Sequence, residues 1–206
     1  YLFSKAHLSL KTIIIGLYLC SIFYFAFLYF YRLPLTSADD HHYRDRQMSE
    51  FIRRLPVNTS INIHNPSPQN TFSNYLYYND LVNHHTISQI QDSYSTEQFQ
   101  LNSVSLQAGC VDLSLATKSA DTVIIANDLL NCQDYEISLS DLIADSNLSY
   151  TTIRSPKDNS IDYYLFGQTI CDSSQLTPNP PRRRLSDYNF SRLSDEEFCR
   201  LFISAR

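Results

Sequence analysis

The longest apolar run in the chain lies near its N-terminus. Residues 12–31 read TIIIGLYLCSIFYFAFLYFY and contain no charged side chain, with Lys11 before them and Arg32 after them. At about 1.5 Å per residue, a helix of this length covers the ~30 Å hydrocarbon core of a bilayer. Bulky residues and a proline at 33–35 occupy the place of a signal-peptide cleavage site. The pattern predicts a transmembrane helix, and the alternative is a buried core helix.

Shorter periodic patterns follow this run. Apolar positions at helical spacing predict an amphipathic helix from Ala38 to Leu55, whose charged residues, Asp45 and Glu50 among them, form a solvated face. Alternation at Ser60–His64 predicts a short strand. Later segments predict a tyrosine-rich helix at 71–83, strands at 105–108 and 122–126, a short helix at 111–118, a β-hairpin from 149–154 and 161–166, and a capping box at 194–197 before a helix at 198–203.

The order of these elements predicts an α/β or α+β fold with about four or five strands in a mixed sheet. We expect a transmembrane helix with its flanks over residues 1–36. One small extracytoplasmic domain is expected over 37–206, including a proline-rich connector at 175–184 and a C-terminal helix. The chain begins with Tyr1 rather than methionine, so we expect a fragment of a longer protein or a processed product.

Charge and glycine content exclude several classes of function. The net charge is −5, and the Lys and Arg residues are scattered apart from the run at 182–184, so the basic surface of a nucleic-acid binder is missing. Only three glycines occur, at positions 16, 109 and 167, which leaves no room for a dinucleotide-binding fingerprint or a P-loop. We therefore expect no nucleic-acid partner and no nucleotide cofactor, and no other cofactor is indicated.

The cysteines and the charges disagree about the side of the membrane. Four cysteines lie outside the apolar run, namely Cys110, Cys132, Cys171 and Cys199, with no C-x-x-C pair. Two disulfides explain this even number and place the domain in an oxidising compartment. Four cysteines allow three pairings, of which we favour Cys110–Cys132 with Cys171–Cys199 because short loops are easiest to close. The alternative is four reduced, buried thiols. Counting Lys and Arg on each side of the helix would instead favour a cytoplasmic domain. We follow the cysteines and expect an integral membrane protein with its domain outside the cytoplasm.

The candidate ligand-binding residues are aromatic, imidazole and guanidinium side chains. Tyr75, Tyr77 and Tyr78 can line a carbohydrate or lipid-headgroup surface, or else fill the core. His64 ends a predicted strand, where α/β sheets gather ligand-binding side chains. Arg182 and Arg183 can grip an anionic headgroup or a pyrophosphate, although such a run is more often solvated.

Metal and catalytic signatures are weak throughout the sequence. The string Asp39-Asp40-His41-His42 has the ligand types of a transition-metal site, but adjacent helical residues point about a hundred degrees apart. A solvated cap explains it better, and a polar loop explains His84-His85. No nucleophile elbow is present, so we assign no catalytic residue and no metal site.

The layout resembles the C-terminal end of polytopic GT-C type glycosyltransferases. The features that carry the resemblance are the aromatic-rich apolar helix, the charged helix RDRQMSEFIRRLP, the strand INIHNP, the helix FSNYLYYND and the segment SADTVIIANDLL. Such enzymes use polyprenyl-phosphate-linked sugars, and many end in a small α/β domain outside the cytoplasm. The resemblance implies that the catalytic acidic residues lie upstream of this chain, so none is assigned to a numbered position.

Two functions are therefore expected. In the first, the chain is the C-terminal portion of an integral-membrane glycosyltransferase, whose domain assists acceptor or donor binding; its partners would be membrane lipid and a polyprenyl-linked sugar. In the second, it is a single-pass, membrane-anchored structural or assembly subunit with a protein partner.

Overall fold

The computed structural model describes residues 2–27, 42–111, 121–132, 137–139, 143, 149–155, 158–167, 169–172, 174, 176 and 190–205. It divides into two compact units, Tyr1–Tyr43 and Arg44–Arg206. The first unit contains helix α1 (Leu2–Phe27). Within the residues given above, no helix combines the length and the apolar character needed to cross a bilayer.

The second unit, with the helix that leads into it, is built from four helices and nine strands among the described residues. In chain order they are α2 (His42–Arg54), β1 (Ser60–His64), α3 (Pro68–Tyr78), α4 (Ile87–Thr96), β2 (Phe99–Leu101), β3 (Val104–Gln107), β4 (Thr122–Asn127), β5 (Asn131–Cys132), β6 (Ile137–Ser138), β7 (Thr151–Arg154), β8 (Ile161–Gly167), α5 (Asp195–Phe202) and β9 (Ile203–Ala205). A 3₁₀ turn at Phe190–Arg192 precedes α5.

Seven of these strands form one mixed sheet in the order β2-β3-β1-β4-β8-β7-β9. Strand β1 runs parallel to both β3 and β4, and every other pair in this sheet is antiparallel. Strands β5 and β6 form a separate two-stranded sheet. The predicted mixed α/β class is confirmed, but the sheet has more strands than expected. Strands β2 and β9 have three residues each, which is too short for alternation to reveal them.

Apolar side chains cover both faces of the central strands. The register pairs Ile125 with Leu165 on one face and Ala126 with Tyr164 on the other, because successive side chains alternate between the two faces of a sheet. Helices α2 and α3 lie on the first face, where Asp45 contacts Tyr163 and Phe72 packs against Phe99. On the opposite face, strands β4 and β8 pack in a buried cluster that contains Val111, Ile124, Ala126, Leu130, Leu139, Ile143, Tyr164 and Phe166.

Helix α2 corrects one expectation about charge. Its apolar residues Met48 and Phe51 are fully buried as predicted, but Asp45 and Glu50, assigned to a solvated face, are buried too. The reason for Asp45 is that α2 has neighbours on its polar side, since Tyr163 of β8 and Asn74 of α3 both hydrogen-bond its carboxylate. Glu50 accepts hydrogen bonds from Arg53 of its own helix. A helix packed on more than one side buries charges that the periodic pattern assigns to water.

Turns and helix caps were predicted more accurately than the ends of helices. The β7–β8 hairpin and the Ser194–Glu197 capping box are confirmed. The tyrosine-rich helix is shorter than predicted and ends at Tyr78, and the C-terminal helix ends at Phe202 because Ile203 starts β9. The predicted helix at 111–118 and the connector at 175–184 lie outside the described residues, apart from Val111 and Leu176.

The Cys171–Cys199 disulfide is confirmed, with an S–S distance of 1.98 Å. It ties the segment after β8 to helix α5 across 28 positions of sequence. Cys110 is also disulfide-bonded. The side chain of Cys132 is not described, so its pairing with Cys110 stays a prediction.

Candidate functional site

The carboxyl ends of the three parallel strands meet at one edge of the sheet. From β1 the chain proceeds to β3 on one side, whereas β4 lies on the other side of β1. In open α/β sheets, ligands bind at such a switch in strand order. Polar residues follow two of these strands directly, since Asn65 comes after β1 and Asn127 ends β4. This edge is therefore the candidate location of a functional site.

A buried hydrogen-bond network links this edge to helix α2. Tyr163 of β8 donates to Asp45 Oδ1 over 2.6 Å, and its hydroxyl accepts a bond from Asn65 Nδ2 over 3.4 Å. Asn74 of α3 donates to Asp45 Oδ2 over 2.6 Å. Burial and the neighbouring Asp45 carboxylate raise the pKa of Tyr163 well above its usual range. The hydroxyl therefore stays protonated and serves as a fixed donor that holds α2 on the sheet.

Asp162 is the most perturbed carboxyl group at this edge. It is fully buried, and Arg44 Nε of α2 lies 2.8 Å from its Oδ1. Burial raises the pKa of Asp162 to about 7, although the Arg44 guanidinium acts in the opposite direction. Among the described residues, its Oδ2 has no hydrogen-bond partner. A carboxyl group in this state exchanges its proton near neutral pH, and such groups concentrate at functional sites and in structural ion pairs alike.

His64 lies where it was predicted, at the carboxyl end of β1, but both ring nitrogens are occupied. Its Nδ1 is 3.2 Å from the Gly109 carbonyl oxygen, and its Nε2 is 2.9 Å from Gln107 Nε2. A carbonyl only accepts, so the proton must sit on Nδ1, and the Gln107 amide then donates to Nε2. Burial lowers the pKa of His64, which agrees with this neutral tautomer. The residue fastens β1 to the loop after β3 and leaves no nitrogen for a ligand.

The three candidate tyrosines have different surroundings. Tyr75 is 5% exposed, and burial raises its pKa to about 12, as expected for a core residue. Tyr77 is 77% exposed, and its ring packs edge-on against Tyr78. The Arg46 guanidinium lies 6.0 Å from the ring centre of the half-buried Tyr78. The structure therefore brings Tyr77 and Tyr78 together at the surface, while Tyr75 faces inward.

The remaining candidates lie either outside the described residues or at the exposed surface. Arg182 and Arg183, as well as Asp39, Asp40 and His41, lie outside the described residues. His84 and His85 are exposed, and their ring centres are 3.7 Å apart. In the part of the chain that the structure describes, no group of three or more His, Cys, Asp or Glu side chains is arranged to hold a metal ion.

A cleft of about 760 Å³ opens beside β3, next to the first turn of α3 and the end of α4. Its lining is mostly uncharged and polar, and consists of Ser67, Pro68, Gln69, Asn70, Tyr94, Glu97, Gln98, Phe99, Gln100, Ser105, Leu106, Gln107 and Ala108. This volume lies within the usual range of small-molecule sites. Gln107 belongs to both the cleft and the His64 contact, so the cleft adjoins the edge described above.

Sequence reasoning missed most of these residues for a definite reason. Asp45 and Tyr163 are 118 positions apart, and Asn65 and Tyr163 are 98 apart, so only the folded sheet brings them together. One signal was nevertheless present. Asn65 and Asn127 each stand at the end of a strand-like run, and the two runs prove to be neighbouring parallel strands.

Comparison with protein-family models, with curated proteins and with solved structures finds no significant match to this chain. The described residues offer a polar sheet edge, an adjoining cleft and a disulfide bond between Cys171 and Cys199.

Proposed function

We propose that this chain is the C-terminal portion of an integral-membrane glycosyltransferase, whose α/β domain assists the binding of an acceptor or a donor. The observation that carries the proposal is the order of parts. An apolar helix comes first, and an α/β domain with an open polar cleft at the carboxyl end of a parallel strand follows it. This order is the one that the resemblance to GT-C type enzymes leads us to expect.

The apolar segment supports a membrane anchor. The described side chains of α1 from Ile15 to Phe27 include no charged residue, and Leu17, Tyr18, Phe23 and Phe25 are each more than 60% exposed. A helix that is apolar on all sides needs apolar surroundings, either in a protein core or in lipid. The uncharged run continues in the sequence to Tyr31, which gives the length of a span.

The disulfide supports a domain outside the cytoplasm. Cys171 and Cys199 are bonded, and such bonds persist in oxidising compartments. Under the proposal, lipid surrounds the anchor, and a polyprenyl-linked sugar is the donor. The acidic residues that catalyse transfer would belong to a part of the enzyme upstream of Tyr1.

The test starts from the gene. The reading frame upstream of Tyr1 should encode several further apolar spans of about 20 residues each. The complete protein, purified from membranes, should transfer radiolabelled sugar from a polyprenyl-phosphate donor. Deleting residues 44–206 should abolish or strongly reduce this transfer while the remaining spans still insert. A start codon directly before Tyr1, or full activity without the domain, would overturn the proposal.

The internal pairing of the buried polar groups favours a second candidate function. The polar atoms of Asp45, Tyr163 and His64 hydrogen-bond other residues of the domain. Such internal pairing suits a structural domain as well as a binding domain. The alternative is a single-pass, membrane-anchored structural or assembly subunit with a protein partner. Purification in a mild detergent distinguishes the two: a stable complex with a second chain and no sugar transfer would favour the subunit.

A further inference from the structure

The cleft beside β3 has the composition of a saccharide site. Its polar lining is dominated by primary amides, from Gln69, Asn70, Gln98, Gln100 and Gln107. Each amide presents two donors and one acceptor oxygen, which matches the mixed donor and acceptor character of vicinal hydroxyl groups. Four of these five belong to α3 or to the β2–β3 pair, so rigid elements hold them in place.

Charge distinguishes between possible ligands. Glu97 is the one charged residue among the described side chains that line the cleft, and no Lys, Arg or His is among them. Phosphate and carboxylate ligands are normally held by Arg or Lys, which neutralise their charge as water is removed. An anionic headgroup that entered this cleft would lose its hydration water without gaining an ion pair with a Lys or Arg side chain of the lining. The lining therefore favours a neutral ligand over a phosphate.

Contacts of Tyr94 and Gln107 hold the cleft walls in a fixed arrangement. The Tyr94 hydroxyl is 2.6 Å from Ser73 Oγ, and its ring packs against Phe72 and Phe99 at centroid distances of 5.8 Å and 5.6 Å. The contact with His64 orients the Gln107 amide and leaves its Oε1 as an acceptor. A partly exposed tyrosine ring beside fixed amides provides an apolar surface for a sugar ring and polar groups for its hydroxyls.

The sheet extends the polar surface beyond the cleft. The register aligns Gln100, Ser105 and Asn62 across β2, β3 and β1, and Ser105 Oγ donates to Asn62 Oδ1 over 2.7 Å. This row lies on the same face as the Gln107–His64 pair. The same face over β4 and β8 is apolar and buried, so this polar row ends at β1.

We propose that the cleft formed by α3, α4, β2 and β3 binds a neutral oligosaccharide of a few sugar rings. Its assignment as the acceptor site rests on the function proposed above, whereas binding itself does not. The amides would hydrogen-bond the hydroxyl groups, and Tyr94 would contact the face of one ring.

Saturation-transfer NMR on the chain from Tyr1 to Arg206 tests the proposal. The protein is held in a zwitterionic detergent, because glucoside and maltoside detergents carry sugar headgroups that would compete. The probes are maltotriose, mannotriose and chitotriose, with trigalacturonic acid as an anionic probe of matched size and a Gly-Ser hexapeptide as an extended chain. Signal should pass to the ring protons of at least one neutral trisaccharide, and to trigalacturonic acid more weakly.

Variants test whether the saccharide binds in the cleft. Gln98 and Gln100 are exposed, so replacing both by alanine should leave the fold intact and weaken binding at least fivefold. Gln91→Ala changes an equally exposed amide of α4 that does not line the cleft, and should leave binding unchanged. The proposal is overturned if no neutral trisaccharide binds, if the double variant binds like the parent, or if trigalacturonic acid or the peptide binds more tightly.

The result is independent of the transferase test. No lipid-linked donor is present and no sugar is transferred, so failure to bind would remove the saccharide site and leave the glycosyltransferase proposal standing. Normal saccharide binding by a protein without transferase activity would remove the glycosyltransferase proposal alone.

Discussion

At the scale of single residues, burial rather than sequence pattern decides which charged side chains affect the stability of the fold. Helix α2 contains several charged residues of similar appearance in the sequence, yet Arg53 is exposed while Asp45 accepts two hydrogen bonds in the interior. Removing one member of a buried network leaves the others unpaired, and that cost exceeds the net value of the bonds themselves. Exposed charges of the same type contribute little.

Asp45→Asn should lower the free energy of unfolding by about 1–3 kcal/mol. The new amide can accept from only one of Tyr163 and Asn74, and it turns a donor toward the other. The chain has no tryptophan and 15 tyrosines, so near-ultraviolet circular dichroism follows unfolding.

Two comparisons make this prediction specific. Asp92→Asn alters an exposed carboxylate of α4 and should change stability by less than about 0.5 kcal/mol. Tyr163→Phe combined with Asp45→Asn should cost clearly less than the sum of the two single changes, because both changes disturb the same contact between the hydroxyl and the carboxylate. Additive effects would show that the hydroxyl and the carboxylate do not interact.

Asp162 predicts how stability depends on pH. Its pKa is about 7 in the fold and near 3.8 in the unfolded chain, so between these values the folded state binds the extra proton. The contribution of this group to stability is therefore greatest below about pH 4, and is lost as the pH rises to about 7. Other groups that influence it are Arg44, Asp45, Asp128 and Asp158.

Asp162→Asn should remove this loss. Relative to the parent, the variant should gain about 2–4 kcal/mol in unfolding free energy between pH 4 and pH 7.5. Urea unfolding at both pH values measures the difference. Asp121→Asn, at an exposed aspartate, should show no such gain. A parallel pH response of Asp162→Asn and its parent would mean that Asp162 is already ionised at pH 4.

At the scale of elements, the sequence predicts best those features whose signals are local. The β7–β8 hairpin follows from its turn residues, and the start of α5 follows from a capping box that satisfies backbone donors with neighbouring side chains. Helix α4 was missed because only Ile90 and Ser93 of its ten residues are buried, which leaves almost no apolar stripe. Strand β9 was missed because it continues directly from a helix.

Alanine substitutions at two glycines distinguish the cost of backbone strain from the cost of a steric clash. Gly109 and Gly167 both have positive φ, +101° and +98°, but a Cβ on Gly109 would meet no atom of the described residues within 4 Å. A Cβ on Gly167 would lie 2.3 Å from the Thr122 carbonyl oxygen of the neighbouring strand. Gly109→Ala should therefore cost about 1–2 kcal/mol from strain alone, and Gly167→Ala a further 1–3 kcal/mol. Thermal unfolding compares them, and equal losses would contradict the predicted clash.

At the scale of the whole molecule, distant segments hold the domain together. The disulfide joins Cys171 to Cys199, and Arg54 of α2 contacts Asp195 Oδ1 at the start of α5 over 2.6 Å. Arg54 also donates to the carbonyl oxygens of Phe190 and Leu193. Such long-range contacts cannot be predicted from the sequence, because no local pattern indicates which two residues will meet. The same holds for the candidate site, of which the sequence revealed His64 but not the groups that surround it.

Removing the Cys171–Cys199 disulfide should cost about 3–4 kcal/mol, since a loop of this length then regains its freedom in the unfolded chain. The variant with both cysteines changed to alanine tests this by urea unfolding. Cys20→Ser, at a free and exposed thiol of α1, is the matched control and should leave stability unchanged. If reduction of the parent protein leaves its unfolding midpoint unaltered, the bond does not stabilise the domain.

The contact between Arg54 and Asp195 spans 141 positions of sequence, and β9 completes one edge of the sheet only after that point. During synthesis, α2 therefore emerges long before the residues that cover it. Its buried carboxylates and apolar side chains stay exposed to chaperones and proteases until residues 190–205 have also left the ribosome. A nascent chain interrupted before Asp195 should be degraded rather than stored, because it lacks the last pieces that close the domain.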